Sequence, residues 1–164
     1  MSNQIKLVQN YFKILSAVAP NYAATTGIKL FSKVRLKGIK TKEVEFFTLS
    51  KAFEVPFKEH KPLQCYEMGN PEGKLVFLIH GWDSNIGSLT LFAKALMETN
   101  NYRIIGMSLP AHGYHDEKRT NLVESSDAFK VLLEYINPLE SFDIVSHSFG
   151  SGVVAMGLAK SPVE

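Results

Sequence analysis

The sequence predicts an α/β fold, a mostly parallel sheet with helices on both faces, preceded by a short helical and basic extension. Three observations predict it. Strand-like and helix-like segments alternate after residue 73, as in α/β architectures. Leu75–Ile79 is an unbroken apolar run, which is typical of a parallel strand that is covered on both faces. Residues 144–154 have the pattern of a strand, a sharp turn and a helix, with Ser148 at the turn.

The composition is that of a folded globular protein, with 45% hydrophobic and 21% charged residues among 164. The lone cysteine, Cys65, excludes an intramolecular disulfide and favours a reducing, cytoplasmic location. The sequence contains no run of 18 apolar residues, so no membrane span is predicted. Polar residues also interrupt the start of the chain, where a signal peptide would be apolar. No metal-ligand cluster, phosphate-binding glycine loop or nucleic-acid motif is present, so no cofactor, metal or nucleic-acid partner is expected.

The charge distribution divides the chain into two predicted parts, a basic helical extension over 1–42 and an α/β domain over 43–164. Residues 1–42 contain eight basic residues and no acidic residue, whereas 43–164 contain ten basic and sixteen acidic residues. A basic segment beside an acidic domain suggests an anionic partner for the basic segment.

Two helices are predicted in the extension, over 4–19 and 23–34, with Pro20 separating them. The apolar positions of the first helix form two adjacent stripes, Ile5/Val8/Phe12/Leu15 and Leu7/Tyr11/Ile14/Val18. Two interpretations remain open. The pair packs on the main domain, as most amphipathic helices do, or a basic amphipathic helix rests on an anionic membrane surface.

The α/β part is predicted from short segments bounded by turn residues such as those of 69–73. Period-two or continuous apolar patterns predict strands, and 3.6-residue periodicity predicts helices. In chain order they are strands over 43–49, 52–57, 63–68 and 75–79, a helix over 88–98, a strand over 102–107, a helix over 121–135, a strand over 142–145 and a helix over 149–160. This alternation predicts right-handed crossovers between parallel strands.

Ser148 is the candidate nucleophile because a tight strand-to-helix turn would expose its hydroxyl at the carboxyl end of the sheet. Such a turn is crowded and needs small flanking residues, here Ser146 and Gly150. We also expect Gly152 to let the following helix approach the sheet closely. The alternative is that Ser148 merely caps that helix.

A second motif, His80-Gly81-Trp82, directly follows the buried run and is a candidate oxyanion loop. A serine that attacks a carbonyl needs N–H donors for the developing oxyanion. The backbone N–H groups of Phe149 and Trp82 are the expected donors. Gly81 would let the loop bend, and His80 is expected to orient it by hydrogen bonding.

With these motifs and the intervening Leu109-Pro110-Ala111-His112-Gly113, residues 44–164 resemble the α/β-hydrolase superfamily. Within it, the chain is similar to the bacterial single-domain serine hydrolases. The resemblance implies the N-terminal half of an α/β-hydrolase fold, with Ser148 as the nucleophile and Trp82 and Phe149 as oxyanion donors. Where many such proteins have an aspartate, this chain has Ser108.

The resemblance also implies a triad in the order serine, acid, histidine. All five histidines precede Ser148, and His112 is expected to fix a loop. We therefore expect the chain to be the N-terminal portion of a longer enzyme, without the triad acid and histidine. The expected activity is acyl-enzyme hydrolysis of an ester-like small molecule, the alternative being a non-catalytic, small-ligand-binding or degenerate homologue. The expected location is cytoplasmic, with possible peripheral membrane contact through residues 1–42.

Overall fold

The computed structural model describes residues 3–36, 38–59, 61–113, 115 and 117–160. Lys37 in the basic segment and His60 among the five histidines lie outside the described residues. The chain divides into two compact units, Met1–Lys33 and Val34–Glu164. The boundary predicted after residue 42 falls within the second of these units.

The first unit is a pair of helices, α1 (Asn3–Val18) and α2 (Pro20–Phe31). The predicted break between the helices, from residue 20 to 22, is absent, and Pro20 is the first residue of α2. Proline suits the first helical position because no backbone N–H is needed there. Ala19 alone joins the helices, with φ −143° and ψ 72°. The helices pack around the buried Ala23, and a Cβ atom at Gly27 would lie 3.7 Å from Cε1 of Phe12.

The second unit contains a five-stranded sheet with helices along the chain before, between and after its strands. Its elements in order are a 3₁₀ turn at Thr41–Glu43, α3 (Val44–Leu49), β1 (Lys51–Lys58), β2 (Lys61–Gly69), β3 (Lys74–Ile79), a 3₁₀ turn at Ile86–Leu89, α4 (Thr90–Glu98), β4 (Tyr102–Met107), α5 (Leu122–Ile136), β5 (Asp143–Ser146) and α6 (Phe149–Lys160). The predicted strands and helices after residue 50 agree with these to within a few residues, and 102–107 and 149–160 agree fully.

The strand order is β1-β2-β4-β3-β5. Strand β3 pairs in parallel with both β4 and β5, whereas β1–β2 and β2–β4 are antiparallel. In the parallel register, Ile79 at the end of β3 lies beside Met107 of β4 and Ser146 of β5. The loops after β3, β4 and β5 therefore leave the sheet at one edge, which is where open parallel sheets bind ligands.

Both faces of the sheet carry a hydrophobic core, as the continuous apolar pattern of β3 predicts. Phe77 and Ile79 face a cluster that includes Phe129 of α5 and Val153 of α6. On the other face, Leu78 belongs to a cluster that includes residues of α3 and α4. No helix among the described residues is both long and apolar enough to cross a membrane.

The predicted strand over 43–49 is wrong, because this segment forms a 3₁₀ turn followed by α3. The Glu43 carboxylate accepts a hydrogen bond from the backbone N–H of Lys40 at 2.8 Å, which starts the turn. Phe46 and Phe47 both make edge contacts with Tyr66, at 6.0 and 5.1 Å between ring centroids. Adjacent side chains point to opposite faces of a strand, so only the helix lets both rings reach one partner.

Candidate active site

Ser148 lies at the apex of a tight turn between β5 and α6, where its side chain is exposed. Its φ of 52° is in the left-handed region, which a residue with a side chain rarely adopts. The N–H of His147 donates to the carbonyl oxygen of Ile79 at 3.0 Å, and the N–H of Gly150 donates to the carbonyl oxygen of His147 at 2.9 Å. These bonds hold a strained backbone in place on both sides of the serine.

Gly150 allows the start of α6 to press against the end of β3. A Cβ atom there would lie 2.5 Å from the carbonyl oxygen of His80 and 2.7 Å from that of Ile79. Gly152 does not have the predicted role: its residue is exposed, and a Cβ atom would meet Cδ1 of Leu122 at 3.4 Å. The close approach to the sheet therefore depends on Gly150, because Gly152 faces α5.

The structure brings the two predicted loops together at Gly81. A Cβ atom at Gly81 would lie 3.0 Å from Nδ1 of His147 and 3.4 Å from Cβ of Ser148. On the other side of the turn, the hydroxyl groups of Ser146 and Ser151 are 3.0 Å apart, within hydrogen-bonding distance. Gly81 thus leaves space for Ser148, and the hydroxyl contact of Ser146 connects the end of β5 to the first turn of α6.

The two residues expected to supply oxyanion donors are neighbours. The rings of Trp82 and Phe149 pack edge to face, with 4.9 Å between centroids. Phe149 is the first residue of α6, so its N–H has no acceptor within the helix. Among the backbone hydrogen bonds of the described residues, none is donated by Trp82. Neither N–H group therefore donates to a backbone acceptor among the described residues.

His80 joins the loop after β3 to the loop after β4 and is fully buried. Its Nε2 accepts a hydrogen bond from the N–H of Leu109 at 3.0 Å, so its Nδ1–H donates to the carbonyl oxygen of Gly81 at 2.8 Å. Burial, together with a smaller contribution from the neighbouring His112, lowers the pKa of this imidazole to about 3. His80 is therefore neutral, and both of its nitrogens are committed to the backbone.

His112 has a similar arrangement in the loop after β4. Its Nε2 accepts from the N–H of Asp83 at 3.2 Å, and its Nδ1 bonds to the carbonyl oxygen of Pro110 at 2.9 Å. Its ring contacts both His80 and Trp82, with centroids 5.2 and 5.1 Å away. His112 thus connects the two loops by hydrogen bonds and ring contacts together.

The sequence analysis did not find the residues that hold the loop after β3 in place by hydrogen bonds. Asp83, with φ 49°, accepts from the N–H groups of Arg35 and Leu36 at 2.7 and 3.4 Å. Asn85 caps the following 3₁₀ turn and donates to the buried carboxylate of Glu43 at 2.8 Å. An asparagine just before an apolar helical segment is a recognisable cap signal, but nothing in the sequence pairs it with Glu43.

Solved structures similar to this one were found by structural comparison. An esterase from Pyrococcus furiosus matches with a TM-score of 0.59 and 17% identity, over 77% of this chain and 52% of the esterase. An epoxide hydrolase from Vigna radiata matches with a TM-score of 0.59 and 18% identity, over 70% and 36% of the two chains. A bromoperoxidase from Bacillus anthracis matches with a TM-score of 0.58 and 24% identity, over 70% and 41%.

The chain has the α/β-hydrolase fold. It spans between about a third and about a half of the length of these three proteins. No protein-family model and no curated protein sequence matches it. Because the sequence identities are this low, the similarities establish the fold alone. Among the described residues, no three histidine, cysteine or acidic side chains lie together as metal ligands would.

Proposed function

We propose that the protein is a serine hydrolase that cleaves an ester-like acyl substrate through an acyl-enzyme intermediate. The observation that carries the proposal is the exposed Ser148 at φ 52°, between the carboxyl end of β5 and the first turn of α6. A left-handed serine at such a position is costly to the fold, and strain of this kind clusters at active sites. The known structures with this fold described above are named as enzymes, two of them an esterase and an epoxide hydrolase.

In the proposed reaction, Oγ of Ser148 attacks the carbonyl carbon of the substrate. The negative oxygen that forms is bound by the N–H groups of Trp82 and Phe149, near the positive end of the α6 dipole. Loss of one such donor typically costs about 10²–10³ in rate. The intermediate collapses as its bond to the alkoxy oxygen breaks, and the alcohol leaves with the proton that Ser148 lost. Water then attacks the acyl-serine, which releases the acid and returns a proton to Oγ.

The proposal assigns the nucleophile and the oxyanion donors but no general base. His80 and His112 are fully buried, and both nitrogens of each ring have partners, so neither can take the serine proton. His147 is adjacent to the serine in the chain, where side chains diverge at a sharp turn. In this fold the triad acid and histidine follow the nucleophile in the sequence.

A fluorophosphonate probe tests the proposal, because the oxyanion donors should make Ser148 react faster than an ordinary serine even though no base is assigned. We expect mass spectrometry to find the label on Ser148 and to find none on Ser148→Ala. Ser141→Ala removes an exposed serine before β5 and should label at the wild-type rate. Wild type that reacts no faster than Ser148→Ala would contradict the proposal.

A second candidate function is binding of a small apolar ligand without catalysis. The commitment of both buried imidazoles to the backbone favours it, since they serve structure and not proton transfer. A ligand that raises the melting temperature of wild type and Ser148→Ala equally, without turnover, would support this function over hydrolysis.

A further inference from the structure

We infer that α1 docks onto the surface of an anionic phospholipid bilayer through its solvent-facing apolar stripe. This stripe, called the docking stripe below, consists of Leu7, Tyr11, Ile14 and Val18. Residues at this spacing lie one above the other on a single side of a helix. The inference concerns the first unit, and it does not depend on the proposed hydrolase chemistry.

The docking stripe is separate from the apolar side of α1 that packs with α2. Val8 and Phe12 line the groove between the two helices, together with Ala23 and Leu30. The docking stripe is exposed instead: Leu7, Ile14 and Val18 have 74%, 66% and 80% of their surfaces in contact with solvent. An exposed row of large apolar side chains has an unfavourable contact with water that a partner surface would remove.

The charges around the stripe identify the partner as anionic. The first unit contains Lys6, Lys13, Lys29 and Lys33 and no acidic residue, and residues 34–42 add further basic residues and again no acid. At 100° per residue, Lys6 and Lys13 lie on the flank of α1 about 120° from the stripe. Their long apolar stems allow the ammonium groups to reach the headgroups while the stripe contacts the acyl boundary.

A bilayer fits these features better than an acidic protein does. Protein interfaces are depleted in lysine, whereas interfacial helices combine a lysine-rich polar face with an apolar face that enters the headgroup layer. Tyr11 lies within the stripe and carries the apolar ring and polar hydroxyl that suit this layer. A 16-residue helix is about 24 Å long, which suits a helix lying in the plane of the interface.

Vesicle flotation with the full chain tests the inference. We expect binding to vesicles of equal parts phosphatidylserine and phosphatidylcholine, and much weaker binding to phosphatidylcholine alone. Added salt should release the protein. Replacing both Lys6 and Lys13 by Gln should lower the partition coefficient about 25-fold, or about fivefold per lysine.

Ile14→Asp places a charge in the stripe and should abolish flotation. Leu91→Asp is the matched control, because Leu91 is an exposed leucine of α4 and should bind as wild type does. Circular dichroism should show the wild-type helix content in both variants. Equal binding to the two kinds of vesicle, no binding, or equal loss in both variants would overturn the inference. So would a doubled mass in solution that Ile14→Asp reverses, because the stripe would then bind a second copy.

Discussion

Gly150 and Gly152 lie two residues apart in α6 and differ sharply in what a side chain would meet. At Gly150 the neighbours are backbone carbonyl oxygens of β3 and the loop after it, which cannot move without shifting the strand. At Gly152 the neighbour is the flexible end of Leu122, at ordinary contact distance. Position in the turn, and not residue type, decides which glycine the fold requires.

We therefore expect Gly150→Ala to lower the free energy of unfolding by about 3 kcal/mol, the upper range for overpacking. Gly152→Ala should raise it by up to about 1 kcal/mol, because alanine is the better helix former. Urea unfolding of both variants measures the difference. Similar effects in the two variants would show that the start of α6 can move away from β3.

The sequence identified the residues of the two loops but not what supports them. Ser148, Gly150 and Gly81 were found because a tight turn imposes size limits that leave a local pattern. Asp83 and Ala111 also adopt left-handed backbone, with φ of 49° and 65°; alanine does not signal this conformation, and aspartate favours it without specifying it. Asp83 is held by hydrogen bonds with Arg35, Leu36 and His112, which lie far away in the sequence, so no local pattern encodes its conformation.

At the scale of elements, α3 shows why a short segment can be misread. Six residues give too few repeats to separate a period of two from one of 3.6. The helix is favoured by the contacts of Phe46 and Phe47 with Tyr66. It is also favoured by the Glu43 carboxylate, which accepts the N–H of Lys40 and starts the preceding turn. The longer α5 was predicted well because its 3.6-residue periodicity is repeated several times, whereas α6 is apolar all round and was predicted from the turn pattern that precedes it.

Asn85 and Asn121 provide a matched pair of helix caps. Both accept from a backbone N–H two or three residues ahead, at 2.9 Å, but only Asn85 also donates to the buried Glu43. Asn121→Ala should cost about 1 kcal/mol, the value of the cap. Asn85→Ala should cost about 2–3 kcal/mol, because it also removes a donor from a buried carboxylate.

Denaturant unfolding of the two variants measures this difference. Equal costs would mean that water replaces the Asn85 amide beside Glu43. In that case the link between the 3₁₀ turn at Thr41–Glu43 and the loop after β3 would contribute little to stability.

At the scale of the whole molecule, folding transfers His80 from water to a fully buried site between two loops of the sheet edge. Its pKa falls from the ordinary 6.5 to about 3 on folding. Between these two values the unfolded chain binds a proton that the folded chain does not. Stability from this group is therefore complete above pH 6.5 and is lost as the pH falls toward 3.

We expect the free energy of unfolding to fall between pH 6.5 and 4, with His80 contributing up to about 1.4 kcal/mol per pH unit. His80→Asn should lower stability at neutral pH and reduce this slope. His147→Asn removes an exposed histidine as the control and should retain the slope. An unchanged slope in His80→Asn would assign the acid sensitivity to other groups.

The left-handed backbone of Ser148 sets the stability of the fold against the proposed chemistry at a single residue. Glycine adopts this conformation without the cost of about 1–2 kcal/mol that a side chain incurs. A population selected only for resistance to heat would thus be expected to exchange the serine for glycine. Serine is therefore not the residue that the backbone geometry alone favours at this position.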